Sequence, residues 1–154
     1  DMYRLRSDAV NFALENDDGG SFSDYDRADL ILIGVSRTGK TPTSLYLALQ
    51  FGIRAANYPI TADDIDETQL PRALIPFRQK LYGLTIEPEL LSAIRQQRRP
   101  DSHYAAPSQC YREVEDVTAM LKLNRIRFLD VSNLSIEEIS TRILDDTDLQ
   151  RRFK

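Results

Sequence analysis

Cysteine is almost absent, with Cys110 the single example. One thiol excludes an internal disulfide framework and fits a reducing cytosol. Long apolar runs are missing as well. None approaches the roughly twenty residues of a membrane-spanning helix, and no charged start followed by an apolar stretch resembles a signal peptide. The sequence therefore predicts a soluble, cytoplasmic protein with no membrane partner. There is no excess of positive charge: the net charge of −4 argues against a nucleic-acid partner. No internal repeat and no linker rich in Pro, Ser or Gly divides the chain. Histidine is limited to His103 in a polar stretch, where a lone imidazole is more often surface than catalyst. What remains suffices for a core: 154 residues, 42% of them hydrophobic, point to a single domain without obligatory staples.

The chain is organised around one stretch. Leu30 to Ile33 is an apolar run suited to a strand covered on both faces, and it leads into Gly34-Val35-Ser36-Arg37-Thr38-Gly39-Lys40-Thr41. These eight residues meet every fixed position of the G-x-x-x-x-G-K-[ST] phosphate loop. The glycines permit turns that a side chain would forbid and let successive N–H groups face phosphate oxygens. Lys40 supplies a mobile charge for the outer phosphates, and the Thr41 hydroxyl is placed to ligate magnesium. A helix from about Thr41 adds its dipole, with Pro42 tolerated in the first turn and Leu45, Ala48 and Leu49 on one face.

Ahead of the loop, Leu5, Val10, Ala13 and Leu14 give a helical pattern with no clear cap, as if the chain were the latter part of something longer. Asp17 and Asp18 follow before Gly19 and Gly20. A solvated turn explains them, and so does a carboxylate near the loop acting as base or magnesium-water ligand. After the loop, Arg54 to Pro59 reads as a second strand. The acidic residues Asp63, Asp64, Asp66 and Glu67 suit a solvated loop better than a magnesium site. Pro71 and Pro76 break any long helix between Leu70 and Lys80, a segment expected to wrap the surface.

Leu81 to Ile86 gives a third strand, and Pro88 opens a helix through Leu90, Leu91 and Ile94 to Arg99. Arg95, Arg98 and Arg99 share a face that reads as solvated, with a phosphate clamp as the alternative. Ser108 to Asn124 is an amphipathic helix carrying Cys110, better explained as a packing residue than as a reactive thiol. Arg125 to Val131 is a fourth strand, whose Asp130 is a weak candidate for a magnesium partner. Ser135 to Glu138 forms a capping box before a helix with Ile136, Ile139, Ile143 and Leu144 as its core face.

These stretches resemble the phosphoenolpyruvate synthase and pyruvate, phosphate dikinase regulatory proteins. The resemblance is carried by Gly34 to Ala48, Ala55 to Pro59, Gly83 to Ile86, Ile94 to Arg98 and Ser135 to Ile139, and by the helix ending at Asp17-Asp18-Gly19. Such proteins normally have a further N-terminal region. The resemblance implies a bifunctional enzyme that phosphorylates a threonine of its target with ADP and removes that phosphate with inorganic phosphate, giving pyrophosphate. By carry-over, Gly34 to Thr41 bind the nucleotide. Residues Leu45 to Pro59 look closer to the synthase-regulating branch, which makes phosphoenolpyruvate synthase the expected partner ahead of the dikinase. Lys40 would neutralise developing charge, Thr41 would hold magnesium, and Asp18 or Asp17 would receive the threonine proton.

Two other readings fit the residues alone. One is a conventional small-molecule kinase or NTPase, although no Asn-Lys-x-Asp guanine motif follows the loop. The other is a nucleotide-sensing module without catalysis. The expected architecture is α/β and P-loop kinase-like: a mostly parallel sheet of about four strands with flanking helices. Strand order is not readable from sequence, and a homodimer stays open.

Overall fold

Asp1 begins the first helix by accepting the Tyr3 N–H on its side chain at 3.1 Å, a cap that the hydrophobic pattern did not disclose. The computed structural model describes residues 1–17, 22–61, 64 and 69–149. Helix α1 (Met2–Glu15) buries Ala9, Phe12 and Ala13, while Leu5 and Leu14 are exposed. The expected face was thus rotated: Phe12, the bulkiest apolar side chain of the three, sets which side meets the core. The helix ends at the buried Asn16, whose N–H and side-chain amide both donate to the Phe12 carbonyl at 3.0 Å.

Strand β1 (Leu30–Gly34) is buried at all five positions. It pairs in parallel with β2 (Ala55–Pro59) on one side and with β3 (Leu81–Thr85) on the other. Strand β4 (Phe128–Asp130) adds to β3, giving the all-parallel order β2-β1-β3-β4. The fourth strand is shorter than the seven residues expected, because a turn with Arg125 at φ 56° delays its start. Ladder bonds still reach past it at both ends, from Gly83 N–H to Arg127 O and from Val131 N–H to Thr85 O, each 2.8 Å.

Helix α2 (Lys40–Phe51) runs between left-handed glycines, Gly39 at φ 85° and Gly52 at φ 65°. It buries Lys40, Thr43, Ser44, Leu47 and Ala48 and exposes Leu49, so Leu49 is not part of the inward face. Residues Arg72–Lys80 form a kinked 3-10 segment anchored by the buried Leu74, with Ile75 and Pro76 outside. Helices α3 (Pro88–Arg98) and α4 (Pro107–Leu123) pack on each other, while α2 packs against both α1 and α5 (Ile136–Asp146). Leu90 lies on the outer side of α3, and Leu91 fills the core. The predicted capping box at α5 is formed, with Glu138 N–H to Ser135 Oγ and Ser135 N–H to Glu138 Oε1 both 3.1 Å. Among the described residues, no helix is long and apolar enough to cross a membrane.

This order places a site. The chain leaves β1 to build β2 on one side, then crosses to β3 on the other, so the strand order reverses at β1. In open parallel sheets, ligands occupy the crevice beyond the carboxyl ends of the strands at that reversal. The 34–41 loop emerges there.

Candidate functional site

Gly34 closes β1 where the Leu84 carbonyl of β3 leaves no room for a Cβ. Gly39 supplies the positive φ from which α2 starts, and it has no side-chain cap hydrogen bond above it. Between them Arg37 also takes φ 76°, a conformation a non-glycine residue adopts at a cost of order 1–3 kcal/mol. The Val35 carbonyl gathers two donors, Thr38 Oγ1 at 3.0 Å and Lys40 Nζ at 2.7 Å. Lys40 is therefore folded back over the loop and almost fully buried. Ser36, Arg37, Gly39, Lys40, Thr41, Pro42 and Ile94 line an open cleft of about 290 Å³. A larger cavity of about 480 Å³ lies at the opposite end of the sheet, beside Leu30, Leu81 and Ile126, away from the loop. Size alone does not choose between them; the strand reversal favours the first.

Asp17 reaches the loop. Its Oδ1 accepts from Thr41 Oγ1 and from Asn57 Nδ2, each at 2.6 Å. Asn57 is fully buried in β2 and also donates its backbone N–H to Asn16 O at 3.2 Å. The end of α1 and the second strand are thus fastened together, and Asp17 is delivered to the start of α2. The bland reading of Asp17 as a solvated turn does not describe this position. With its hydrogen committed to Asp17, the Thr41 hydroxyl presents lone pairs elsewhere, as a cation ligand must. Asp18 lies outside the described residues, as do Asp63, Asp66 and Glu67. Asp64 instead accepts from Tyr58 Oη and from Thr61, and burial together with Asp64 pushes the Tyr58 hydroxyl up to about 12.

The arginine face divides. Arg98 and Arg99 are exposed, but Arg95 is completely buried and paired with Glu113 of α4 at 3.1 Å. It is neither solvated nor free to clamp a ligand. Burial pulls its pKa down, and the Glu113 carboxylate more than offsets this, so the guanidinium stays charged. Cys110 sits beside it in the core, where burial pushes the thiol up, the setting of a packing residue. Asp130 is exposed, with Oδ1 held by Ser132 N–H at 2.9 Å and Ser132 Oγ at 2.6 Å, and β3 stands between its strand and β1. His103 is exposed as expected. No cluster of three His, Cys, Asp or Glu side chains suited to a metal occurs among the described residues.

A family model described as kinase/pyrophosphorylase matches residues 1–144. The chain belongs to the kinase/pyrophosphorylase family. Its relatives include proteins of Pseudoalteromonas translucida (strain TAC 125), 61% identical over 150 residues, and of Marinobacter nauticus, 58% identical over 149. A third, from Chromohalobacter salexigens, is 56% identical over 156 residues. All three are named phosphoenolpyruvate synthase regulatory proteins, an assignment their names mark as provisional. The alignments cover 97%, 97% and 99% of this chain but 56%, 55% and 56% of the relatives, so the chain spans about half their length. Within this kinase/pyrophosphorylase chain, sequence reasoning missed Asn57 and the burial of Arg95. A signal for the first existed: Asn57 is the one amide in an otherwise apolar strand segment, Ala55 to Pro59, next to the loop.

Proposed function

We propose that this chain carries the nucleotide-binding centre of a bifunctional enzyme that regulates phosphoenolpyruvate synthase. It would phosphorylate a threonine of the synthase with ADP, and remove that phosphate with inorganic phosphate to release pyrophosphate. The observation that carries this reading is the meeting of Asp17 and Thr41 beside a glycine loop at the sheet's strand reversal. The relatives' names supply the target, and the family's description supplies the pairing of kinase with pyrophosphorylase.

In the forward direction the threonine Oγ attacks the β-phosphorus of ADP. The bond from that phosphorus to the α-bridging oxygen breaks, and AMP leaves with the electron pair. The hydroxyl proton passes to a carboxylate of the Asp17–Asp18 pair. In the return direction an oxygen of inorganic phosphate attacks the phosphothreonine phosphorus. The bond to Oγ breaks, Oγ takes back a proton, and pyrophosphate departs.

The loop N–H groups between Gly34 and Thr41 bind the phosphate oxygens in both directions. Lys40 exchanges the Val35 carbonyl for a phosphate oxygen and follows the charge as it develops. Thr41, its proton held by Asp17, is the residue that would hold magnesium, a hard cation that takes oxygen ligands. Bound magnesium would neutralise phosphate charge.

The test is transfer of label from β-labelled ADP to purified synthase, by this chain and by the full-length Pseudoalteromonas relative, with γ-labelled ATP as control. Label should arrive from ADP, and Lys40→Ala should lower the rate by about 10²–10³-fold, the usual cost of removing one such donor. Transfer by the relative alone would place part of the centre in the half of the relative that this chain does not match. Absence of ADP transfer by either protein would overturn the reading in favour of a conventional kinase or a sensing module.

A further inference from the structure

The peptide unit joining Ser36 to Arg37 is held from behind. Arg95 donates from one terminal nitrogen to Ser36 O at 3.2 Å and to Glu113 Oε1 at 3.1 Å. Its other terminal nitrogen donates to Tyr104 O at 2.9 Å and to Glu113 Oε2 at 3.1 Å. The guanidinium lies 4.1 Å from the centre of the Tyr104 ring, and the Tyr104 hydroxyl meets Ser36 Oγ at 2.6 Å. The carbonyl and the hydroxyl of Ser36 are therefore both held by one cluster built around the buried Arg95.

A carbonyl oxygen repels a phosphate, whereas an N–H attracts it. In a trans peptide the two point in opposite directions. Pinning Ser36 O to Arg95 of α3 consequently turns the Arg37 N–H away from that guanidinium, in a loop whose Ser36 and Arg37 line the cleft. Directly after that plane, Arg37 takes φ 76°, a left-handed conformation that costs a non-glycine residue energy. Glu113 cancels the guanidinium charge, so the cluster acts by geometry and adds no net positive charge under the loop. A lysine could not replace it: only the planar fork meets the carboxylate with two bonds and keeps two N–H groups for carbonyls.

We propose that Arg95, locked by Glu113 and Tyr104, is a positioning residue that sets the 36–37 peptide plane and so makes the loop competent to bind an anion. This rests on the nucleotide-binding reading of the loop, and its test separates the two. Arg95→Ala alone would strand a buried carboxylate and could unfold the chain, so the pair is replaced together by apolar residues, Arg95→Met with Glu113→Leu. Glu113→Gln, which keeps volume and one acceptor, is the second variant. Two quantities are measured: amide hydrogen exchange across residues 34–41, and ADP affinity.

The double variant should keep a cooperative thermal transition and unchanged protection in β3, while amide exchange at Ser36 to Gly39 quickens about tenfold. Its ADP dissociation constant should rise about tenfold, with kcat/KM falling in step, because one loop donor is misdirected. Glu113→Gln should shift both quantities the same way by less. Loop exchange within twofold of the parent in both folded variants overturns the proposal, as does faster exchange spread evenly over the sheet. If the unaltered chain binds no ADP, the nucleotide reading fails and the exchange result alone decides the role of Arg95.

Discussion

Two carboxylates flank the 34–41 loop, and they are built for opposite work. Glu113, behind the loop, is spent on a fully buried arginine that binds both of its oxygens. Asp17, in front, accepts from two neutral groups, and among the described residues it has no cationic partner. A charge that is cancelled can only hold shape. One that is solvated by neutral donors keeps its field for whatever enters the cleft. A carboxylate beside the loop is thus spent on an ion pair or left with neutral partners, and the proposed base is the second kind.

The contrast can be broken hardest from behind. Glu113→Ala leaves a buried guanidinium unpaired, and denaturant unfolding should show a loss of about 3–5 kcal/mol. Asp17→Asn should reverse the balance of effects. Phosphoryl transfer should fall by about 10²–10³-fold, while stability changes by no more than the ~1–3 kcal/mol typical of a charge-assisted hydrogen bond. Full transfer rates in both Asp17→Asn and Asp18→Asn would remove the carboxylate pair from the chemistry. Asn57→Ala sits between the two extremes: it deletes one of Asp17's donors in the core, and about 1–3 kcal/mol should be lost together with part of the activity.

The smallest effect concerns Tyr58, whose neighbour Asp64 is a third carboxylate beside β2. Its hydroxyl is raised from 10.0 to about 12 in the folded chain, by burial first and by Asp64 next. A raised folded pKa contributes stability that is present below pH 10 and lost as pH climbs toward about 12. Thermal scans of Tyr58→Phe should lack that part of the alkaline decline and start slightly below the parent near neutrality, where the hydrogen bond to Asp64 is gone.

How much of this was legible depends on whether the signal is local. The run Leu30 to Ile33, the glycine loop and the start of α2 are consecutive in sequence, and pattern and position agree there. The capping box of α5 is equally local. Arg95 was misread because its two helical neighbours at compatible spacing are indeed exposed, and nothing within α3 announces that Glu113, eighteen positions on, will close over it. Leu5 and Leu14 were misassigned for the same reason, since a helix period gives a face but not which of two faces the sheet will take. Strand order belongs to the same class, being a property of crossovers rather than of any strand. Asp17 was legible as an acid near the loop, and only β2 could reveal that it would be handed to Thr41.

That handover has a temporal side. Asn57 holds Asn16 by its backbone and Asp17 by its side chain, so the carboxylate is seated only once residue 57 has been made and paired with β1. During synthesis, the whole glycine loop and helix α2 emerge earlier than that. A growing chain therefore carries the loop motif before residue 57 can seat the carboxylate and before Arg95 can hold Ser36, so the centre is completed by segments made after its motif.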